Sequence, residues 1–445
     1  MPNSERAAPL TAYRGMLLHF LLDPGEGDNS RATQFFDDGV LVVEDGRVKS
    51  VGAAVSVLAG LPDTARVIDC AGQLILPGFV DTHIHYPQTD MIASYGGQLL
   101  DWLERYTYPA EAAFVNAEHA REVAEFFLDE LLRNGTTTAM VFATVHAPSV
   151  DAFFHSAAAR NLRMIAGKVL MDRNCPEHLR DTPERGYRES SMLIEKWLKQ
   201  GRLGYAITPR FAVTSSDAQL ELAGQLAREH PDAHIQSHMA EIRAELPRVR
   251  KLFPGSRDYV DVFERSGLMR ERAVYAHCIY LNPEERARMA RLGAAAAVCP
   301  TSNLFLGSGL FEFEAARAAG MRVGIGTDVG AGTSFNMLRT LSEAYKVAEM
   351  TGHPLSPWRA FYLATLGGAR ALGLDQRIGN FEPGKEADFV VLRLDSTPLL
   401  ARRMRTCVTP AHKLFALMML GDDRAVAATY VMGAAAYRAP PAEKG

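Results

Sequence analysis

Two histidines spaced two apart, His83 and His85, stand in the run DTHIH. On a β-strand that spacing puts both side chains on one face. Two neutral imidazoles on one face can bind a single divalent cation, although a histidine pair by itself fits a core role or chance about as well. Two further nitrogen or oxygen donors end other strand-like runs: His238 in QSHMAE and Asp328 in GIGTDVGAG. Taken alone, Asp328 also reads as a helix cap. Four such donors meeting at one mouth predict a metal site. Zinc is the expected ion and iron its competitor, because ligand type does not separate them. Glu241 follows His238 by three residues. A carboxylate there can move protons between an activated water and a substrate nitrogen; a first-turn helix glutamate is the plainer reading. His277, in YAHC, reads as a fifth ligand, as a hydrogen-bond donor beside the metal, or as a buried histidine without function. Arg210 and Phe211 end another run, TPRF. Among the other histidines, His19, His119, His155, His178, His230, His353 and His412 carry no assigned role, His146 is expected at the surface, and His234 is expected to be structural.

The elements that must position these residues alternate strand and helix. Strand-like runs end near His85, Phe142, Asp172, Phe211, His238, Tyr280, Asn303 and Asp328. Helical patterns lie between them, clearest over 118–133, 150–160, 218–229, 283–292 and 312–319. Eight strands alternating with helices predict an α/β fold, a (β/α)8 TIM barrel, with catalytic groups at the C-terminal strand ends. An open parallel sheet competes, but no G-x-G-x-x-G turn follows the first strand. On this layout His234, four residues before His238, lies toward the barrel bottom. The two ends of the chain differ from the middle. Gly39–Gly52 breaks at Asp45-Gly46, a hairpin signal, and Ile378–Asp395 and Ala425–Ala439 also read as strands and turns. They predict a small composite β-sandwich built from both termini, giving pieces 1–74 and 375–445 around a barrel over 75–374.

Composition agrees with a folded enzyme-sized chain. Its 445 residues are 47% hydrophobic and 22% charged, with a net charge of −4. That excludes a disordered chain, a collagen-like repeat and a small disulfide scaffold. No apolar run reaches membrane-helix length, no general basic field invites nucleic acid, and the first residues lack a signal-peptide pattern. The cluster Arg402, Arg403, Arg405 reads as a solvated face. Five scattered cysteines without a CxxC pair read as reduced, mostly buried thiols. The expectation is a cytoplasmic protein with no nucleic-acid or membrane partner.

The motifs PGFVDTHIHYPQ, TPRF, SHMAE, AHC and GTDVGAG resemble the amidohydrolase superfamily. The resemblance covers nearly the whole chain, including GNFEPGKEADFVVL near its end. Gln88 in HYPQ, the run Pro209-Arg210-Phe211 and the stretch DWLERYTYPAE (Asp101 to Glu111) resemble the guanine-deaminating members in particular. The resemblance implies one zinc per chain held by His83, His85, His238 and Asp328, with His277 hydrogen-bonding instead of ligating. It also implies that Gln88, Arg210 and Phe211 hold the purine, and it suggests a homodimer. The expected reaction is hydrolysis of guanine to xanthine and ammonia, with Asp328 taking a proton from water and Glu241 protonating a ring nitrogen. Arg210 suits the O6 acceptor, Gln88 suits a mixed purine edge because it donates and accepts, and Phe211 or Trp102 suits the ring face; for Trp102 a core role is equally compatible. The stretch 99–108 reads as a cover over the mouth or as an oligomer contact. One independent check favours a single metal: the fourth run, LGYAITPRF, has no lysine to bridge two ions. Lys168 in the third run is expected to be structural or to pair with a carboxylate such as Asp172. The H-x-E and P-C-x-x-C signature of another class of base deaminases is absent. Hydrolases of cytosine, triazines, modified guanines or adenosine derivatives on the same scaffold compete with guanine. So do a two-metal cyclic-amide hydrolase and a non-catalytic barrel.

Overall fold

The computed structural model describes residues 10–27, 29–97 and 99–440. The outermost residues of both terminal pieces, 1–9 and 441–445, lie outside them, as does most of the N-terminal stretch read for a leader. Four strands come first: β1 (Thr11–Phe20), β2 (Thr33–Glu44), β3 (Arg47–Ala53) and β4 (Arg66–Pro77). The middle carries β5 (Phe79–His85), β6 (Thr136–Phe142), β7 (Arg163–Gly167), the two-residue β8 (Val169–Leu170), β9 (Gly204–Pro209), β10 (His234–Met239), β11 (Ala273–His277), β12 (Ala295–Val298) and β13 (Arg322–Ile325). The chain closes with β14 (Phe389–Arg393), β15 (Val426–Val431) and β16 (Ala434–Arg438).

The eight principal middle strands lie in the order β5-β6-β7-β9-β10-β11-β12-β13, and every ladder between them is parallel. Parallel strands need both faces covered, and β5 and β6 are buried at every residue. The expected barrel is therefore present. It closes where β13 meets β5, and the approach is close: a Cβ on Gly324 would lie 2.3 Å from Thr82 Cγ2. Beyond it, the His85 N–H donates to Val329 O (2.8 Å) and the Asp328 N–H to His83 O (2.9 Å). Asp81 ties the same seam from inside, accepting from the backbone N–H of His83 and of Thr327, both at 3.1 Å.

The expected helices form over Ala117–Arg133, Ala147–Ala159, Asp217–Glu229, Pro283–Leu292 and Phe313–Ala318. Side-chain caps start several of them. Asn116 accepts from the Glu118 and His119 N–H groups, and Asn282 forms a reciprocal capping box with Glu285. Several strand ends differ from expectation. The seventh stops at Val298 because Pro300 opens a helix, Pro300–Phe305, which carries Asn303. The sixth stops at His277, not Tyr280, since His277 and Cys278 turn to φ 70° and 52°. The third stops at Gly167, not Asp172. The eighth stops three residues short of Asp328, which itself has φ 53°.

Lys168 has a different partner from the one expected. Its ammonium pairs with Asp181 and lies 3.4 Å from Glu189. Asp172 instead accepts from the Ser216 N–H at 2.8 Å.

Both chain ends build one seven-stranded mixed sheet, ordered β16-β15-β14-β4-β1-β2-β3. The Asp45-Gly46 signal is the β2–β3 turn, with φ 49° and 76° at its two residues and Glu44 paired with Arg47. The sheet bends where the β1–β4 register jumps, from Gly15↔Cys70 to Met16↔Leu74. It curls until residues of β3 and β15 share one apolar core with Tyr13, Phe389 and Tyr430. The Tyr13 hydroxyl then reaches Gly433 O at 2.9 Å. The sandwich-like layering thus comes from a single curved sheet. Arg402, Arg403 and Arg405 are exposed, and the five cysteines are free, four of them buried. Among the described residues no helix is long and apolar enough to cross a membrane.

Candidate active site

The C-terminal strand ends bring His83, His85, His238 and Asp328 together. His85 Nε2 lies 3.1 Å from His83 Nε2 and 3.2 Å from His238 Nε2. Asp328 Oδ1 lies 3.2 Å from His83 Nε2 and 3.3 Å from His85 Nε2. Burial lowers the pKa of all three imidazoles, that of His85 to about 3. They are neutral near pH 7, so their nitrogens offer lone pairs. His238 Nδ1 lies 2.7 Å from Arg210 O, which can only accept. That fixes its proton on Nδ1 and leaves Nε2 bare. Burial opposes ionisation of Asp328, but His83 and His85 outweigh it and hold the carboxyl well below its usual range.

Bare nitrogens crowded around one point repel one another unless a cation sits among them. The spacing fits: ligands about 2.0 Å from a tetrahedral metal stand about 3.3 Å apart. The four residues therefore fit a small divalent cation. A second group, His277, Cys299 and Asp328, shares the same aspartate. Burial drives the Cys299 thiol well above its usual range.

On one side of the donors stand Glu241 and His277. His277 Nδ1 faces Asn303 Oδ1 at 2.8 Å, so the ring proton is on Nδ1. Its Nε2 lies 3.4 Å from Glu241 Oε2 and 3.8 Å from Asp328 Oδ2. Burial lowers the His277 pKa, yet the charges of Glu241 and Asp328 prevail and raise it. Burial raises the Glu241 pKa against the pull of His277. The Ser308 hydroxyl donates to Glu241 Oε1 at 2.9 Å, and the Glu241 N–H donates to Glu245 Oε2 at 3.0 Å. His277 and Asp328 both hold positive φ, a costly backbone state of about 1–3 kcal/mol each that clusters at working sites.

On the other side stand Gln88, Arg210 and Phe211. They line one cavity together with Trp102, Leu103, His85, His238, Glu241, His277 and Asp328. Trp102 is 1% exposed, and its Nε1–H points to Ser94 O at 3.4 Å. It serves both readings, as wall and as core. Leu99 and Leu103 also line the cavity, so the 99–108 stretch contributes to its wall. Gln88 differs from the mixed donor-acceptor expected. Its Oε1 accepts from the Gly330 N–H (3.3 Å), while its Nε2 donates to Glu111 Oε1 (3.1 Å). His146 is outside the cavity lining. His234 is at the opposite end of β10, its Nε2 against Leu372 O at 2.8 Å. Asp328 caps no helix; the next one starts at Met337 and is capped by Asn336.

Four neighbours escape a reading of the sequence: Glu111, Asn303, Ser308 and Glu245. Each meets the site only through tertiary contact. Asn303 lies in what reads as a strand end, and Glu111 in a quoted stretch with nothing local to mark it as buried.

A model of the amidohydrolase family matches residues 74–436. The barrel, the composite sheet and the strand-end donors are those of a metal-dependent hydrolase fold, and the chain belongs to the amidohydrolase family. Its relatives narrow the class. The guanine deaminase of Escherichia coli (strain K12) is 52% identical over 406 residues, covering 91% of this chain and 92% of that protein. A solved E. coli guanine deaminase superposes with TM-score 0.93 at 50% identity, covering 96% of this chain and 99% of that one. A guanine deaminase from C. acetobutylicum, solved with guanine in its active site, superposes with TM-score 0.86 at 28% identity, covering 96% and 99%.

Proposed function

We propose that the chain is a guanine deaminase: it hydrolyses guanine to xanthine and ammonia at the strand-end cavity. One observation carries the reading. Three donors of the four-donor cage (His85, His238 and Asp328), a buried carboxyl–imidazole pair and a wall carrying hydrogen-bond donors all line the same cavity. His83, His85, His238 and Asp328 would hold one divalent cation, inferred to be zinc from the three-nitrogen, one-carboxylate set. When bound, such a cation lowers the pKa of water from about 16 toward about 7.

The chain's own residues do the rest. Arg210 and Gln88 bind the keto edge of the base, and Phe211 and Trp102 flank it. Leu99 and Leu103 exclude bulk water, which strengthens every charge inside. Asp328, with Oδ2 directed toward His277, accepts a proton from the attacking water. Glu241, whose pKa burial raises, gives a proton to N3 of guanine as the oxygen bonds to C2. His277, oriented by Asn303, hydrogen-bonds the incoming oxygen. The proton taken from water then passes to the C2 amine. The C2–N bond breaks, ammonia leaves, the proton of the C2 hydroxyl returns to the Glu241 carboxylate, and the ring carbonyl of xanthine forms.

The test is ammonia and xanthine formation by the zinc-loaded protein, with adenine and cytosine alongside. Release from guanine alone is expected. Equal rates on adenine would remove the keto-edge assignment, and no release from guanine would remove the substrate.

A further inference from the structure

The geometry points to Glu111 as the positioning residue that sets purine specificity, by fixing the Gln88 amide and the Arg210 guanidinium so that their free N–H groups meet the base. The inference rests on the guanine reading above and goes beyond it. Glu111 is 1% exposed and lies in the short helix Tyr108–Ala112, which continues that wall segment. Both its oxygens accept from Arg210 Nη1, at 3.0 and 2.7 Å. Its Oε1 also accepts from Gln88 Nε2. Nothing in the barrel strands themselves supplies this carboxylate; it comes from the helix after the wall segment.

Two consequences follow from hydrogen-bond inventory alone. First, the Gln88 amide cannot flip. A flip would set its oxygen against the Glu111 carboxylate and its NH2 against the Gly330 N–H, two like-on-like contacts. Second, with one Nε2 hydrogen on Glu111 and one Oε1 lone pair on the Gly330 N–H, Gln88 keeps its second N–H free to donate. Arg210 spends Nη1 on Glu111, and among the described residues no other acceptor is bonded to its guanidinium. Its Nε and Nη2 hydrogens remain. On this wall the purine therefore meets the remaining Arg210 N–H groups and the second Gln88 N–H. Guanine, with O6 and N7 both acceptors along one edge, satisfies them; adenine sets a donating amine against them. Glu111 also compensates the buried Arg210 charge. Without it, the cation would favour an anionic ligand, and xanthine loses a proton more readily than guanine.

The experiment uses the full-length, zinc-loaded protein, its Glu111→Gln and Glu111→Asp variants, and two substrates: guanine and 2-aminopurine, which keeps the reacting amine but lacks O6. Metal content is measured alongside. Losing a hydrogen bond to a charged group predicts about a 10- to 100-fold fall in kcat/KM for guanine. That fall should sit mainly in KM, with 2-aminopurine affected far less, metal content unchanged and the Ki of xanthine lowered. Glu111→Asp keeps the charge but shortens the reach, and should lose less of the guanine preference. It also serves if the glutamine variant does not fold. An unchanged guanine to 2-aminopurine ratio in the folded variant overturns the inference. So does an equal loss on both substrates. If the unaltered protein releases no ammonia from guanine, the functional reading fails instead, and the two failures are distinct.

Discussion

The two ends of the barrel both bury charge, and they handle it in opposite ways. At the N-terminal end, Arg163 and Arg202 meet Glu386 and Asp388. Arg163 Nε reaches Glu386 Oε2 at 2.7 Å, Arg202 Nη2 reaches the same oxygen at 2.7 Å, and Arg202 also pairs with Asp388. Spare hydrogens go to backbone: Arg202 Nη1 to Asn161 O (2.9 Å) and Arg163 Nη1 to Arg202 O (3.2 Å). Two cations face two anions in a closed set that ties β7 and β9 to the composite sheet. At the C-terminal end, three neutral imidazole nitrogens and Asp328 converge with lone pairs unmatched. Strand β10 shows the contrast in one element: His234 at its start is bonded to Leu372 O, and His238, four residues on, joins the donor cage. A closed set fixes a structure, whereas an open set of lone pairs is reserved for something that arrives later. The conventional division of a barrel into a stability face and a chemistry face is here visible as hydrogen-bond completeness.

That contrast can be broken from either end. Glu241→Gln should retain metal and lose about 10²- to 10⁴-fold in kcat, the usual worth of general acid–base help; near-normal turnover would remove Glu241 from the mechanism. Arg210→Ala should raise KM for guanine by about 10- to 100-fold with metal still bound, and an unchanged KM would refute the contact. Glu386→Ala, at the closed end, should lower unfolding free energy by about 3–5 kcal/mol, because it strands two buried guanidiniums. Its kcat at a temperature where it stays folded should not change; loss of kcat without loss of stability would erase the division.

The smallest effect is in pH dependence. Burial depresses the pKa of His234 and of His19, each to about 4. A histidine with a depressed folded pKa contributes full stability above its unfolded value of about 6.5 and loses it as pH falls toward 4. Asp81 and Glu245, whose pKa burial raises to about 7, have the opposite sign and lose stability as pH rises. Comparing the chain with His234→Gln isolates one group. Urea unfolding at pH 7 and pH 5 should show a shallower acid loss in the variant, by on the order of 2 kcal/mol; identical slopes would show that His234 titrates normally.

The donor cage was legible because a strand-end address is a local property. His83 and His85 share a strand face, and His238 and Asp328 end runs that must reach the same mouth. The Asp45-Gly46 turn was legible for the same reason. Partners that arrive from elsewhere were not. Lys168 finds Asp181 instead of Asp172, because the loop after β8 folds back to it. Asn303 orients His277 from a helix that Pro300 starts, in place of the expected strand. Glu111 and Ser308 carry no sequence mark, since their roles depend on a tertiary approach that no spacing encodes.

The most direct test of the open-end account is metal stoichiometry coupled to turnover. The protein is stripped with a chelator and zinc is titrated back while ammonia release from guanine is followed. The account predicts that activity rises to a plateau at one equivalent per chain and that His238→Ala never reaches it. Full activity in the stripped protein, or a plateau at two equivalents, would contradict it.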